Sequence, residues 1–246
     1  MISIEVITMW YNEEYLARFF LNHYSFAEKV RIIVDEDTND DTLNIISSYP
    51  NTEVEYIKFS DGFNNDVATA RFNRCYRESK ADWVILVDSD EFVLTPNLHE
   101  FLSERTEDIF MVRFYEVYRH KDDKDLDPNI PIAEQRKHGV ISTDKRRTNF
   151  GLGCKPAVVK TGKRIVWTPG QHQIKDRSSL FVTAKDFLVG AHWSMADPNL
   201  IKRKLNLLER QSEHNIKVGH VSHLKGMTRD SLIEKLNSHL SDKEVL

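Results

Sequence analysis

Residues 83–91 read Trp83-Val84-Ile85-Leu86-Val87-Asp88-Ser89-Asp90-Glu91, and the fold turns on them. The apolar run, rich in β-branched side chains, predicts a strand buried on both faces in the middle of a parallel sheet. It stops in three carboxylates, Asp88, Asp90 and Glu91. Folding has no use for that much negative charge where a central strand emerges, and in open α/β sheets this carboxyl end is where ligands bind. Side chains two apart on an extended segment point the same way, so Asp88 and Asp90 can share one cation. Hard divalent ions such as Mg²⁺ and Mn²⁺ favour carboxylate oxygens and leave positions open for phosphate, which makes a metal–diphosphate site the functional reading. The plainer reading is turn chemistry, since Asp and Ser also bond back to the local backbone.

Upstream, residues 2–8 read as a first strand. Asn12 can cap the helix that follows, with Glu13 and Glu14 in its first turn. Leu16, Phe19, Phe20 and His23 then keep the spacing of a packed helix face. Asn12 and Glu13 are either a good helix start or part of a site at the end of strand one. A second strand, Val30 to Val34, runs into Asp35-Glu36-Asp37-Thr38-Asn39-Asp40-Asp41-Thr42. Asp40 or Asp41 suits a cap for the helix carrying Leu43, Ile45 and Ile46, and Glu36 and Asp37 suit a solvated loop. That leaves Asp35 to accept hydrogen bonds from a base N–H or ribose hydroxyls. A third strand spans Val54 to Phe59, and a helix follows with Ala68, Phe72, Cys75, Tyr76 and Ser79 on one face. Arg71 lies off that face. It is a surface arginine or, feeding into the Asp88–Glu91 strand, a bidentate phosphate holder. The β-α-β-α-β-α-β order implies a mostly parallel sheet with right-handed crossovers.

Downstream, a short helix is expected from Asn97 to Arg105 and a long strand from Ile109 to Arg119. From His120 to Gly153 the chain is charged and broken by Pro128, Pro131 and Gly139, the character of a long loop, with a solvated basic cluster at Lys145-Arg146-Arg147. Short strands at 157–160, 165–168, 181–183 and 187–189 are separated by turns. In Gly190-Ala191-His192-Trp193 glycine permits close approach to a ligand, and His192, preferred to His172, is an imidazole suited to Mn²⁺. The tail is helical: Ile201, Leu205 and Leu208 form an apolar face with Lys202, Arg203 and Lys204 opposite, and a second helix runs from Ser231 to Leu240. His220 and His223 make an improbable metal pair so near the end.

The 246 residues, 40% hydrophobic, are enough for one substantial core. A single α/β domain over 1–246 is expected, with a nucleotide-binding half (1–95), an acceptor half (96–195) and a helical tail (196–246). No run approaches the roughly 18 apolar residues of a membrane helix. The first residues lack the pattern of a signal peptide. Cys75 and Cys154 lie far apart, which argues for a reducing compartment and against a zinc knuckle or disulfide framework. The net charge of −4 disfavours a nucleic-acid surface. These features read as a cytoplasmic chain, with loose attachment to a membrane face left open.

Together these residues resemble a glycosyltransferase of the GT-A type, close to family 2, over 2–95 and more loosely over 150–205. The resemblance is carried by Asn12-Glu13-Glu14, by Val34-Asp35 through Asp41-Thr42, and by Asp88-Ser89-Asp90-Glu91. Asp61-Gly62-Phe63 followed by Ala70-Arg71-Phe72-Asn73 is similar to the family's Phe…Ala-Arg-Asn segment, with Phe72 inserted. His192-Trp193-Ser194, with Lys204 beyond, looks like its later His-aromatic segment. Two departures stand out: Glu36-Asp37-Thr38-Asn39 replaces the usual Gly-Ser, and no clear Glu-Asp motif supplies a base. The resemblance implies a Rossmann-like sheet and Mn²⁺- or Mg²⁺-dependent, inverting transfer of sugar from a nucleotide-sugar, a UDP-sugar first among them. The acceptor hydroxyl would belong to a glycan, lipid-linked glycan or protein. Asp35 would contact the base, Asp88 the ribose or metal, and Asp90 the metal. Glu91, beside that pair, is the candidate base, ahead of Glu116 and Glu134. Two other readings stay open: a nucleotidyltransferase, against which the acidic, glycine-free Trp10-Tyr11-Asn12-Glu13-Glu14 counts, and a non-catalytic binding module.

Overall fold

In the computed structural model, residues 2–141, 154–175, 181–219, 228–238 and 246 are described. The chain runs β1 (Ile4–Trp10), α1 (Glu14–His23), β2 (Lys29–Asp35), α2 (Thr42–Ser47), β3 (Thr52–Ile57), α3 (Asn65–Glu78) and β4 (Trp83–Leu86). It continues through β5 (Glu91–Val93), α4 (Leu98–Ser103), β6 (Ile109–Tyr118), α5 (Ile132–Gln135), β7 (Gly139–Ile141) and β8 (Cys154–Lys160). It closes with β9 (Thr183–Met195), α6 (Pro198–Glu209), α7 (Glu213–Val218) and α8 (Arg229–Ser238). The strands form one sheet in the order β3-β2-β1-β4-β8-β6-β9-β5, with β7 on β6. The first four are mutually parallel, because each is reached through a helix. Beyond them β8 runs antiparallel to both β4 and β6, while β9 is parallel to β6.

The chain winds outward from β1 through β2 to β3, then α3 carries it back to β4 on the other side of β1. The order therefore reverses between β1 and β4, the switch point where such sheets open a crevice at their carboxyl ends. β4 is apolar throughout because both its faces are covered. Trp83 and Ile85 pack with Trp10, Phe20, Phe92 and Trp193 on one side. Val84 and Leu86 pack with Phe72, Tyr76 and Trp167 on the other. No helix among the described residues is long and apolar enough to cross a membrane.

Several expectations change. Asn12 does not cap α1: it takes a left-handed conformation (φ 51°), which Asn tolerates, and exchanges two side-chain hydrogen bonds with Asn39. The first turn of α1 is satisfied from the next loop, Glu13 N–H donating to Thr42 Oγ1 (2.7 Å) and Glu14 N–H to Asp40 Oδ2 (3.1 Å). The segment expected as one long loop carries α5 and β7, and the Lys145–Arg147 cluster and His220–His223 lie outside the described residues. The strand expected at 165–168 is only a bridge between Trp167 and Ile174. The strands expected at 181–183 and 187–189 merge into the single strand β9, which runs through Gly190 and His192. Gly190 serves packing: a Cβ there would lie 2.6 Å from the Phe114 ring of neighbouring β6.

His23 at the end of α1 bonds through Nε2 to the Val93 carbonyl (2.9 Å) and stacks on Phe92. Burial lowers its pKa to about 4, against about 6.5 unfolded. The unfolded chain therefore binds a proton that the native chain refuses, so stability holds above about pH 6.5 and falls as pH drops toward 4. Urea unfolding across that window is expected to lose about 2–3 kcal/mol that His23→Gln does not lose. Parallel acid limbs for the two proteins would contradict this.

Candidate active site

The carboxyl ends of β1, β2 and β4 meet in one charged crevice. Glu13, just past β1, is 2% exposed. Ser89 Oγ donates to its Oε1 (2.7 Å), and the Arg203 guanidinium grips both its oxygens (2.6 Å each). Burial raises the Glu13 carboxyl against the pull of Arg203. Arg203 also donates to Ser89 Oγ (2.6 Å) and to Asp90 Oδ2 (2.9 Å), so one side chain of α6 joins the exits of β1 and β4. Asp90 completes its surroundings with His192 Nε2 (3.3 Å), whose Nδ1 meets Glu116 Oε1 at 2.9 Å. Burial alone would raise Asp90; Arg203 and His192 outweigh it and hold the carboxyl well below its usual range. Burial would lower His192, but Glu116 and Asp90 raise it to about 10, the state in which both ring nitrogens donate.

Asp88 and Asp90 do not share one direction. A tight turn, closed by Glu91 N–H to Asp88 C=O (3.0 Å), replaces the extended segment that alternation assumed. Asp88 turns instead to Lys155 Nζ (3.0 Å) and keeps 48% of its side chain exposed. Lys155, buried on β8, also bonds Glu91 Oε2 (2.6 Å), which accepts in addition from Asp88 N–H (2.9 Å). The expected base is thus an inward-facing counter-ion, 8% exposed. Burial pushes the Glu91 carboxyl up, Lys155 opposing.

Asp35, at the end of β2, sits on the same edge. Its Oδ1 accepts from Asp37 N–H (3.0 Å) and its Oδ2 from Arg210 Nη1 (2.7 Å). Arg210 Nη2 reaches Asp37 (2.7 Å), and the guanidinium lies over the Tyr11 ring, 3.7 Å from its centroid. Arg71 is not brought to this crevice. It pairs with Glu55 on β3 (3.0 Å), within an ion network that includes Arg31, Arg74 and Glu5.

Asp88 and Asp90 are oxygen donors suited to Mn²⁺ or Mg²⁺, whereas His192, expected as a nitrogen ligand, is held as an imidazolium between Asp90 and Glu116 and offers a metal no lone pair in this arrangement. Among the described residues, the carboxylates Glu13, Asp88, Asp90, Glu91 and Glu116 are met by Lys155, His192 and Arg203, with Lys204 also acting on Asp90. In the arrangement seen, no three His, Cys, Asp or Glu among the described residues converge on one metal position, because Asp88 faces Lys155 and His192 hydrogen-bonds Asp90. Asp88 and Asp90 fit the group in donor chemistry.

Lys155, Arg203 and Arg210 were not foreseen as site residues. Lys155 had a legible signal, as a lone cation in the apolar strand Cys154–Val159, which demands a buried partner. Arg203 was expected on the polar face of its helix; it points inward because two buried carboxylates face it.

The parallel half-sheet and its switch point define a doubly wound α/β class of protein, with a crevice at the carboxyl ends of its strands. The profile of glycosyl transferase family 2 matches residues 5–161, and the chain belongs to that family. Among solved structures it is similar to S. aureus TarS 1–349, at 14% identity and a TM-score of 0.43, covering 82% of this chain and 64% of that one. A crystal structure of TarS 1–349 with UDP-GlcNAc matches at 16% identity and 0.44, covering 82% and 65%. Glucosyl-3-phosphoglycerate synthase from Mycobacterium tuberculosis, in complex with Mn²⁺, UDP and phosphoglyceric acid, matches at 17% and 0.34 over 47% of this chain and 43% of that one. The chain thus spans about 64% of the length of TarS 1–349. No curated protein matches it.

Removing one member of a buried ion pair strands the other. Lys155→Met is expected to cost about 3–5 kcal/mol in denaturant unfolding, and adding Glu91→Gln is expected to recover part of it. Two losses that simply add would show that the pair does not interact.

Proposed function

We propose that this chain is a glycosyltransferase that takes a sugar from a nucleotide-sugar, a UDP-sugar first among candidates, to an acceptor hydroxyl with inversion. The observation carrying the reading is the meeting of Asp35 with the Asp88–Asp90 turn on one edge at the sheet's switch point. Asp35 is placed to accept from a base or ribose, and Asp88 offers the half-exposed carboxylate between that edge and solvent. A divalent ion held at the half-exposed Asp88, with Asp90 the neighbouring carboxylate, would supply Lewis-acid stabilisation to the departing nucleoside diphosphate. Asn12 fixes the loop after β1 against the loop after β2, and Glu13 fixes Ser89 and Arg203 beneath Asp90. Glu116, less enclosed than Glu91, is the better-placed carboxylate to take the proton of an acceptor hydroxyl. The acidic, glycine-free loop after β1 offers no cradle for a triphosphate, which disfavours synthesis of sugar nucleotides.

Thermal denaturation with UDP and a panel of nucleotide-sugars, with and without Mn²⁺, is the test. UDP with Mn²⁺ is expected to raise Tm, a hundredfold excess over Kd being worth about 2.7 kcal/mol. Asp35→Asn is expected to weaken UDP binding at least tenfold, and Asp90→Asn to remove the Mn²⁺-dependent part. Slow Mn²⁺-dependent hydrolysis of a UDP-sugar, lost in Asp90→Ala, separates an enzyme from a binding module. Pyrophosphate release from UTP and a sugar phosphate would overturn the transferase reading in favour of a nucleotidyltransferase.

A further inference from the structure

Arg210 stands just past α6, and its backbone is tied to the loop after β3. Its carbonyl accepts from Phe63 N–H (2.6 Å), and Phe63 C=O accepts in return from Ser212 N–H (3.0 Å). Gly62 (φ +97°) allows this approach, since a Cβ there would sit 2.4 Å from the Arg210 carbonyl oxygen. Asn215 clamps the same junction, its Nδ2 donating to Phe63 C=O (2.8 Å) and its Oδ1 accepting from Asn65 N–H (3.0 Å). The backbone is pinned while the side chain reaches out over the crevice. There the planar guanidinium does two things. It lies over Tyr11, and it forks between Asp35, 3% exposed, and Asp37, 59% exposed. A flat group that covers an aromatic ring while donating to the adjacent buried carboxylate makes the contacts that a nucleobase with a ring N–H would make.

We infer that the Arg210 side chain occupies the nucleoside position of the ligand-free site, and that a nucleoside must displace it from Tyr11 and Asp35 to bind. This rests on the nucleotide-sugar reading above. Displacement needs only side-chain rotation, because the backbone of residue 210 is held independently. The outer prong of the fork, on Asp37, is solvent-exposed and weak, which keeps the exchange cheap. The occupant screens Asp35 while no ligand is present and sets a threshold that a nucleoside must overcome.

The test is calorimetric titration of the whole chain with uridine, which carries no phosphate, and with UDP. The proteins are the parent, Arg210→Ala and Asp37→Asn, the last altering only an exposed carboxylate. Both variants are expected to bind uridine about three- to tenfold more tightly, since each weakens the competing contact. In the parent, uridine affinity is expected to rise with ionic strength as the exposed Arg210–Asp37 pair is screened, and in both variants this dependence is expected to vanish. Unchanged or weaker uridine binding in both variants, with UDP still bound, overturns the inference alone. Absence of uridine and UDP binding in all three proteins overturns the nucleotide-sugar reading and the inference with it.

Discussion

Arg203 holds together chain segments that topology brings to one place and charge would drive apart. Glu13 and Asp90 are both buried at neighbouring strand exits, and each would cost several kcal/mol if left unpaired. The guanidinium meets Glu13 with two donors and spends others on Ser89 and Asp90, so one cation satisfies three partners. The bond between residues 13 and 203 spans 190 positions of sequence. It pins α6 across the carboxyl edge of the sheet. The helix is itself started firmly, with Asp197 accepting from Asn199 N–H and Pro198 at its first turn. Asp197 also meets the buried Arg136, which ties the 120–136 segment to the same helix. The far half of the chain is therefore attached to the near half at the crevice.

The near half was legible in the sequence for a physical reason. Apolar strand runs separated by helix-period segments imply a mostly parallel sheet, and the acidic residues at the ends of β1, β2 and β4 gather on its carboxyl edge. The direction of those side chains was not legible. Whether Asp88 and Asp90 face one way depends on the extended segment continuing past β4, and it breaks into a turn instead. The identity of the counter-ions was equally hidden. Pairings such as Asp88 with Lys155 or Asp35 with Arg210 join residues far apart and leave no periodic trace. Gly190 shows the opposite trap: a glycine beside a histidine looks like a ligand loop, yet the Phe114 ring explains it.

The site divides into two electrostatic groups on one edge. Around Asp90, Arg203 and His192 answer three carboxylates; around Lys155, one ammonium answers Asp88 and Glu91. The half-exposed Asp88 is the open face of the second group.

The most direct measurement is a double-mutant cycle between residues 13 and 203, comparing the parent, Glu13→Gln, Arg203→Met and the double variant by denaturant unfolding. A coupling energy above about 2 kcal/mol is expected, because either single change strands a buried charge that the double change does not. Additive effects within about 0.5 kcal/mol would contradict it, and α6 would then not be fastened to the sheet by this pair.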